Sequence, residues 1–265
     1  MAATSDSHEE GVVVVTGASR GIGRQVCINL LSTHPKLHVV AVGRSQSDLA
    51  TLAHPWPGRL HSVAGDIADS ATQAQISALL QALAQPVLAV VNNAATVTPT
   101  GPLLDTSAAE WAQMLSTNLT AALVLGATCI GALRESRGRI INVSSSASQG
   151  PVPGFSAYGT TKAALNYATR ALALEYPEVT SVAFYPGVVN TAMNHAAIQA
   201  TIAYAADPRT HLDTSALMAK LSEPIPVDLP SAIIANLALR ADASLSGRYV
   251  AYSDDEMRAY HCPPN

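Results

Sequence analysis

Apolar residues along this chain fall into short, separated runs whose spacing switches between two periods. The run Val12-Val13-Val14-Val15-Thr16, bounded by Gly11 and Gly17, is β-branched and short, which predicts a strand buried on both faces of a parallel sheet. Ile22, Val26 and Leu30 then recur at helical spacing over 22–32, and an extended pattern returns over 37–42, so the first unit reads β-α-β. Apolar runs at 87–91, 139–143, 179–185 and 248–252 predict further strands, and helical spacing predicts helices near 70–84, 107–135 and 156–176. Strands and helices that alternate in this way predict an α/β fold, a doubly wound parallel sheet in a three-layer α/β/α arrangement, formed as a single domain over residues 1–265.

Two stretches break the rhythm. Pro55 and Pro57 around Trp56 mark a loop, and 186–226 mixes polarities around several prolines. A structureless excursion of that length inside a compact domain is uncommon unless functional, so 190–226 is expected to be an irregular substrate loop that works as a lid. The polar residues 1–10 are expected to form a flexible N-terminus.

Composition narrows the partners. With 48% hydrophobic and 13% charged residues, the chain favours a well-buried globule over disorder. A net charge of −4 provides no broad positive field, so neither nucleic acid nor an anionic membrane surface is an expected partner. The start is polar and acidic and no run approaches about 20 uninterrupted apolar residues, so no secretion signal or membrane span is expected and a cytoplasmic location is. Cys27, Cys129 and Cys262 lack any paired spacing and read as reduced thiols. His34, His38, His54 and His61 crowd one region, but Pro35 interrupts their helical spacing and no cysteine or carboxylate stands beside them at ligand spacing, so surface histidines are expected and no metal. His195 and His211 fall in the lid segment, where substrate contact and simple exposure are equal readings.

The candidate chemistry starts between the first strand and the first helix. Thr16-Gly17-Ala18-Ser19-Arg20-Gly21-Ile22-Gly23 lets backbone approach a pyrophosphate at a helix N-terminus, the geometry of a Rossmann-type dinucleotide site; the same glycines also suit a plain tight turn. At the end of the second strand, where an acidic residue would favour a free ribose 2′-hydroxyl, the text is Val42-Gly43-Arg44-Ser45. Arg44 and Arg20 together suit a 2′-phosphate through charge-assisted hydrogen bonds, so NADPH is expected over NADH. Tyr158 and Lys162 stand four residues apart, on one face of a helix, where an ammonium beside a phenol is expected to lower its pKa and make it a usable proton donor.

These motifs, in this order over about residues 12–191, resemble the short-chain dehydrogenase/reductase family, whose glycine spacing is GxxxGxG rather than GxGxxG. The resemblance implies cofactor contacts at Gly17, Ser19, Arg20, Gly21, Ile22, Gly23, Arg44 and Ser45. It also implies Asp66 and Ile67 after the third strand, Asn92 and Ala94 in Asn92-Asn93-Ala94-Ala95 after the fourth, and Pro186, Gly187, Val189 and Thr191 after the sixth. Ala95 replaces the family's usual glycine, and Asp66 also reads as an ordinary turn aspartate. The implied catalytic set is Asn118, Ser145, Tyr158 and Lys162: Ser145, thirteen residues before Tyr158, would bind the substrate carbonyl, with Ser144 and Ser146 as neighbours if the register slips. Asn118 resembles the family asparagine that kinks its helix and serves the lysine, and Tyr158 and Lys162 would also touch the cofactor.

The activity implied is hydride transfer from NADPH to a ketone or aldehyde, with Tyr158 protonating the developing alkoxide. Within the family, the stretches 157–175 and 247–254 are similar to fungal benzil reductases that form (S)-benzoin and to their sepiapterin reductase-like relatives, which implies a vicinal diketone or aryl ketone as substrate. Ala147, Phe155 and Met193 are candidate pocket walls. Two other readings stay open, an NADP-binding regulatory protein with little turnover and an alcohol dehydrogenase working oxidatively. A homo-oligomer, dimer or tetramer, is implied, with the long helices near 107–135 and 156–176 as packing faces.

Overall fold

The valine run closes into strand β1, Gly11–Thr16, every residue of it buried. Its side chains alternate between two cores: Val13 and Val15 join one apolar cluster, Val12 and Val14 the other. A strand apolar on both faces needs cover on both, and the chain supplies it with helices wound to each side. The structure is a computed structural model and describes residues 10–209 and 213–262. The expected flexible N-terminus therefore lies outside the described residues except for Glu10.

After β1 come α1 Gly21–Thr33, β2 Leu37–Gly43, α2 Gln46–Ala53, β3 Leu60–Ala64, α3 Ser70–Leu83 and β4 Val87–Asn92. Then follow α4 Ala108–Leu115, α5 Ala121–Ser136, β5 Arg139–Val143, α6 Ser156–Glu175 and β6 Thr180–Tyr185. The chain ends with α7 Ala192–Ala206, α8 Ser215–Ser222, α9 Asp228–Arg240 and β7 Tyr249–Ala251. The seven strands form one sheet in the order β3-β2-β1-β4-β5-β6-β7, with every pair parallel. The order reverses between β1 and β4, and a doubly wound sheet opens a ligand crevice at the carboxyl ends of such strands. Buried residues of α1 and α9 pack one face of the sheet; Ala121, Leu125, Cys129 and Leu133 of α5 pack the other.

Three expectations need correction. The segment 190–226 is not irregular: it carries α7 and α8, and a parallel bridge pairs Val189 with Ile225. Its helices hide from periodicity because they bury little, Asn194, Ala197 and Thr201 in α7 and Leu221 in α8. The helix predicted near 107–135 is interrupted by a π turn over Ser116–Thr120. The continuous span Ala108–Ser136 is long and apolar enough, by length and composition, to cross a membrane; here its α5 half packs against the sheet. Finally, only His54 among the described crowded histidines is well exposed, while half-buried His38 and His61 stack with 3.1 Å between Nδ1 and Nε2. Burial and the neighbouring His38 lower the pKa of His61.

Candidate active site

A cavity of about 1030 Å³ opens at the carboxyl ends of the strands, at the upper end of the roughly 300–1,000 Å³ usual for ligand sites. The glycine loop forms one wall. Gly17 (φ +67°) and Gly21 (φ +57°) sit in the left-handed region, and a Cβ at Gly17 would lie 2.7 Å from Asn93 Nδ2. The loop is pinned from two sides. Ala18 N–H donates to Val42 O at 2.9 Å, and Thr16 Oγ1 accepts from the backbone N–H of both Asn93 and Ala94 at 3.0 Å. Asn93 Nδ2 donates back to Thr16 O at 2.9 Å.

Ser19, Arg20, Gly21 and Ile22 line the cavity, and so do Arg44 and Ser45 at the end of β2. Ser45 also caps α2, accepting from Asp48 N–H at 3.3 Å. Asp66 and Ile67 line the same end, with Asp66 Oδ1 accepting from Ala68 N–H at 2.9 Å, so this aspartate is a turn residue as well as a wall. Ala94, Pro186, Gly187, Val189 and Thr191 complete that wall, and Thr191 caps α7.

Two residues expected here stand elsewhere. Asn92 is the last residue of β4 and its side chain turns into the sheet, donating to Asn142 Oδ1 at 2.8 Å; the residue facing the loop is Asn93. Period-two alternation along β4 is the signal that separates them. Gly23 lies behind the loop, where a Cβ would meet Gly17 O at 2.5 Å, so it permits close packing of α1 rather than lining the cavity.

At the other end of the cavity the catalytic candidates converge. The Tyr158 phenol and Ser145 hydroxyl both line the cavity, close enough for Ser145 to act on the phenol's pKa. The neighbouring serines also line the cavity but have other partners: Ser144 Oγ donates to Asn166 Oδ1 at 2.6 Å, and Ser146 Oγ accepts from Lys220 Nζ at 3.4 Å. Lys162 is 2% exposed, donates to Val143 O at 2.8 Å, and places Nζ 5.8 Å from the Tyr158 ring centre. Asn118 does not reach the cavity. From the π turn its Oδ1 accepts from Thr96 N–H at 2.8 Å, and its Nδ2 donates to Thr96 O at 2.8 Å and to Thr161 Oγ1 at 3.1 Å. It thereby fastens the strand-end loop to the helix that carries Tyr158.

Electrostatics differ from the expectation of a lowered phenol pKa. Burial, with Tyr185 adding to it, pushes Tyr158 up to about 12 against the opposing effect of Ser145, and burial pushes Lys162 down to about 8. Ala147, Phe155 and Met193 do line the cavity, and Phe155 belongs to a small apolar cluster with Val97, Ala197 and Leu221. Sequence reasoning missed other residues of this wall, among them Tyr185, Val188, Leu217, Lys220 and Leu221. His195 is exposed and lines nothing here, and His211 lies outside the described residues.

Residues 11–201 match the family model described as short chain dehydrogenase. A benzil reductase ((S)-benzoin forming) of Saccharomyces cerevisiae is 29% identical over 257 residues, covering 93% of this chain and 97% of the relative. Among solved structures, the KRED1-Pglu enzyme is 32% identical with a TM-score of 0.82, over 91% of this chain and 100% of its own. A short-chain dehydrogenase/reductase of Saccharomyces cerevisiae reaches a TM-score of 0.87 at 25% identity, over 95% and 100% of the two chains.

Proposed function

This chain belongs to the short-chain dehydrogenase family, and from that premise we propose that it is an NADPH-dependent reductase of ketones or vicinal diketones of the benzil type. Family oxidoreductases act on CH–OH and C=O groups with a nicotinamide dinucleotide. The observation that carries the finer reading is that Ser145 and Tyr158, backed by Lys162, line the same cavity as the glycine cradle.

The cradle fits a dinucleotide: two left-handed glycines open α1 toward the cavity, and Arg20 and Arg44 flank it. The two guanidinium groups suit a ribose 2′-phosphate, which favours NADPH. When bound, the nicotinamide supplies the hydride. Ser145 donates a hydrogen bond to the carbonyl oxygen, and Tyr158, fully protonated at neutral pH, donates its proton to that oxygen as negative charge develops. Lys162 remains largely an ammonium at neutrality, and its charge stabilises the phenolate left behind. The match to a benzil reductase along nearly the whole of both chains favours a vicinal diketone.

The test is NADPH oxidation followed by absorbance with benzil and simpler ketones, beside NADH. Turnover with NADPH that exceeds NADH supports the reading. Tight NADPH binding with no turnover on any carbonyl replaces it with a regulatory dinucleotide-binding role.

A further inference from the structure

Beyond the buried Lys162, the substrate end of the cavity carries one charged side chain among apolar and neutral polar ones. Lys220 enters from α8, in the lid, and its ammonium lies 3.4 Å from Ser146 Oγ and 5.7 Å from the centre of the Tyr185 ring. The carboxylates that line the cavity, Asp48 and Asp66, stand at its far end beside Arg44. Among the described residues no carboxylate pairs with Lys220. The lysine thus brings an unneutralised positive charge to the residue next to Ser145, on the cavity that Tyr158 also lines.

We infer that Lys220 is a specificity-determining residue that selects carbonyl substrates bearing a carboxylate a few bonds from the reacting carbon, an aryl 2-oxo acid over its neutral ester. The inference rests on the reductase reading and sharpens its substrate class. Three features support it. An ammonium has three donors and no acceptor, so an anionic oxygen is its best partner. The surrounding wall, Phe155, Val188, Leu217 and Leu221, lowers the local polarity, which strengthens such a pair relative to one on an open surface. The Tyr185 ring beneath the ammonium orients it by cation–π attraction without neutralising it.

The effect is bounded by exposure. Lys220 lies at the cavity mouth and is itself exposed, so the gain falls between that of a surface ion pair and a buried charge-assisted hydrogen bond, roughly 3- to 30-fold in affinity.

The experiment compares benzoylformate, methyl benzoylformate and benzil as substrates with NADPH. In parallel, the first two are titrated by calorimetry onto the enzyme loaded with NADP⁺, which carries no hydride. Wild type is expected to bind the acid more tightly than the ester. Lys220→Met should abolish that preference while leaving ester binding and NADPH affinity unchanged, and Lys220→Arg should restore it. Added salt should erode the preference in wild type alone. Equal binding of acid and ester by wild type overturns the inference. So does a Lys220→Met loss shared by both ligands, which assigns the lysine to lid closure, or a loss confined to NADPH, which assigns it to the cofactor. Absence of turnover on all three compounds overturns the reductase reading alone, because the calorimetric preference is read without reaction.

Discussion

The glycine-loop end of the cavity and its lid end are held by different forces. At the first, Thr16 and Asn93 cross between β1 and the segment after β4 with hydrogen bonds of 2.9–3.0 Å, and Ala18 ties the loop to β2. At the second, four apolar side chains, Val97, Phe155, Ala197 and Leu221, gather loop, helix and lid, aided by Asn194 Nδ2 donating to Leu221 O at 3.1 Å. Hydrogen bonds are directional and fix position, whereas apolar contact tolerates rearrangement. The difference suits a site that takes one invariant dinucleotide at one end and a selected carbonyl compound at the other.

Tyr158 stands where the two ends meet, and its substitution is expected to have the largest effect. Tyr158→Phe removes the proton donor and should lower kcat by about 10²- to 10⁴-fold while NADPH affinity, measured by fluorescence titration, stays within a factor of a few. Retained turnover would assign the proton to Ser145 or water.

The buried ammonium at the joint gives a pH signature. Lys162 has its pKa depressed from its ordinary value to about 8, so the unfolded chain binds the extra proton between pH 8 and about 10.5. The contribution of Lys162 to the stability of the cofactor-free protein should therefore rise across that window, by about 3 kcal/mol for the full shift, while the buried thiols Cys27 and Cys129, whose pKa values burial raises, work in the opposite sense from about pH 9 upward. Tyr158, raised to about 12, likewise costs stability from about pH 10 upward. Urea unfolding of wild type and Lys162→Met at pH 7.5 and 9.5 checks this: wild type should gain stability relative to the variant between the two pH values. An unchanged difference removes Lys162 as the source.

The cofactor end offers a narrower test. Replacing Arg20 and Arg44 together by alanine should reduce the NADPH-to-NADH preference roughly 10- to 100-fold, the worth of one or two charge-assisted hydrogen bonds, with little change in substrate KM. An unchanged ratio would make both arginines solvated surface groups.

The same division explains what the amino-acid sequence discloses. Strands such as Arg139–Val143 are legible because both faces are covered and the apolar run is unbroken. The glycine loop is legible because its turn needs residues that little else uses. Helix α2 is obscured because it is short, buries only Leu49 and Leu52, and runs into the Pro55–Pro57 loop. Helix α7 is obscured because two of its three buried residues are polar, so no apolar stripe marks it. Lys220 is invisible for the same reason: nothing local says that α8 folds back over Ser146. Residues brought in by a long connection depend on tertiary packing, which periodicity does not encode.

The lid end should be the more forgiving of truncation. Leu221→Ala removes one of four side chains from the cluster that seats the lid. In a closed core such a change costs about 2–5 kcal/mol, but a lid anchored by so few contacts opens locally before the sheet unfolds. The loss should therefore appear as easier opening, with substrate KM raised by roughly 3- to 10-fold and only a small fall in Tm. NADPH affinity should be unchanged, because the hydrogen bonds at Thr16 and Asn93 do not involve α8. If cofactor affinity falls together with substrate affinity, the two ends are mechanically coupled, and the path of that coupling would run through Thr191, which lines the cofactor end and caps α7.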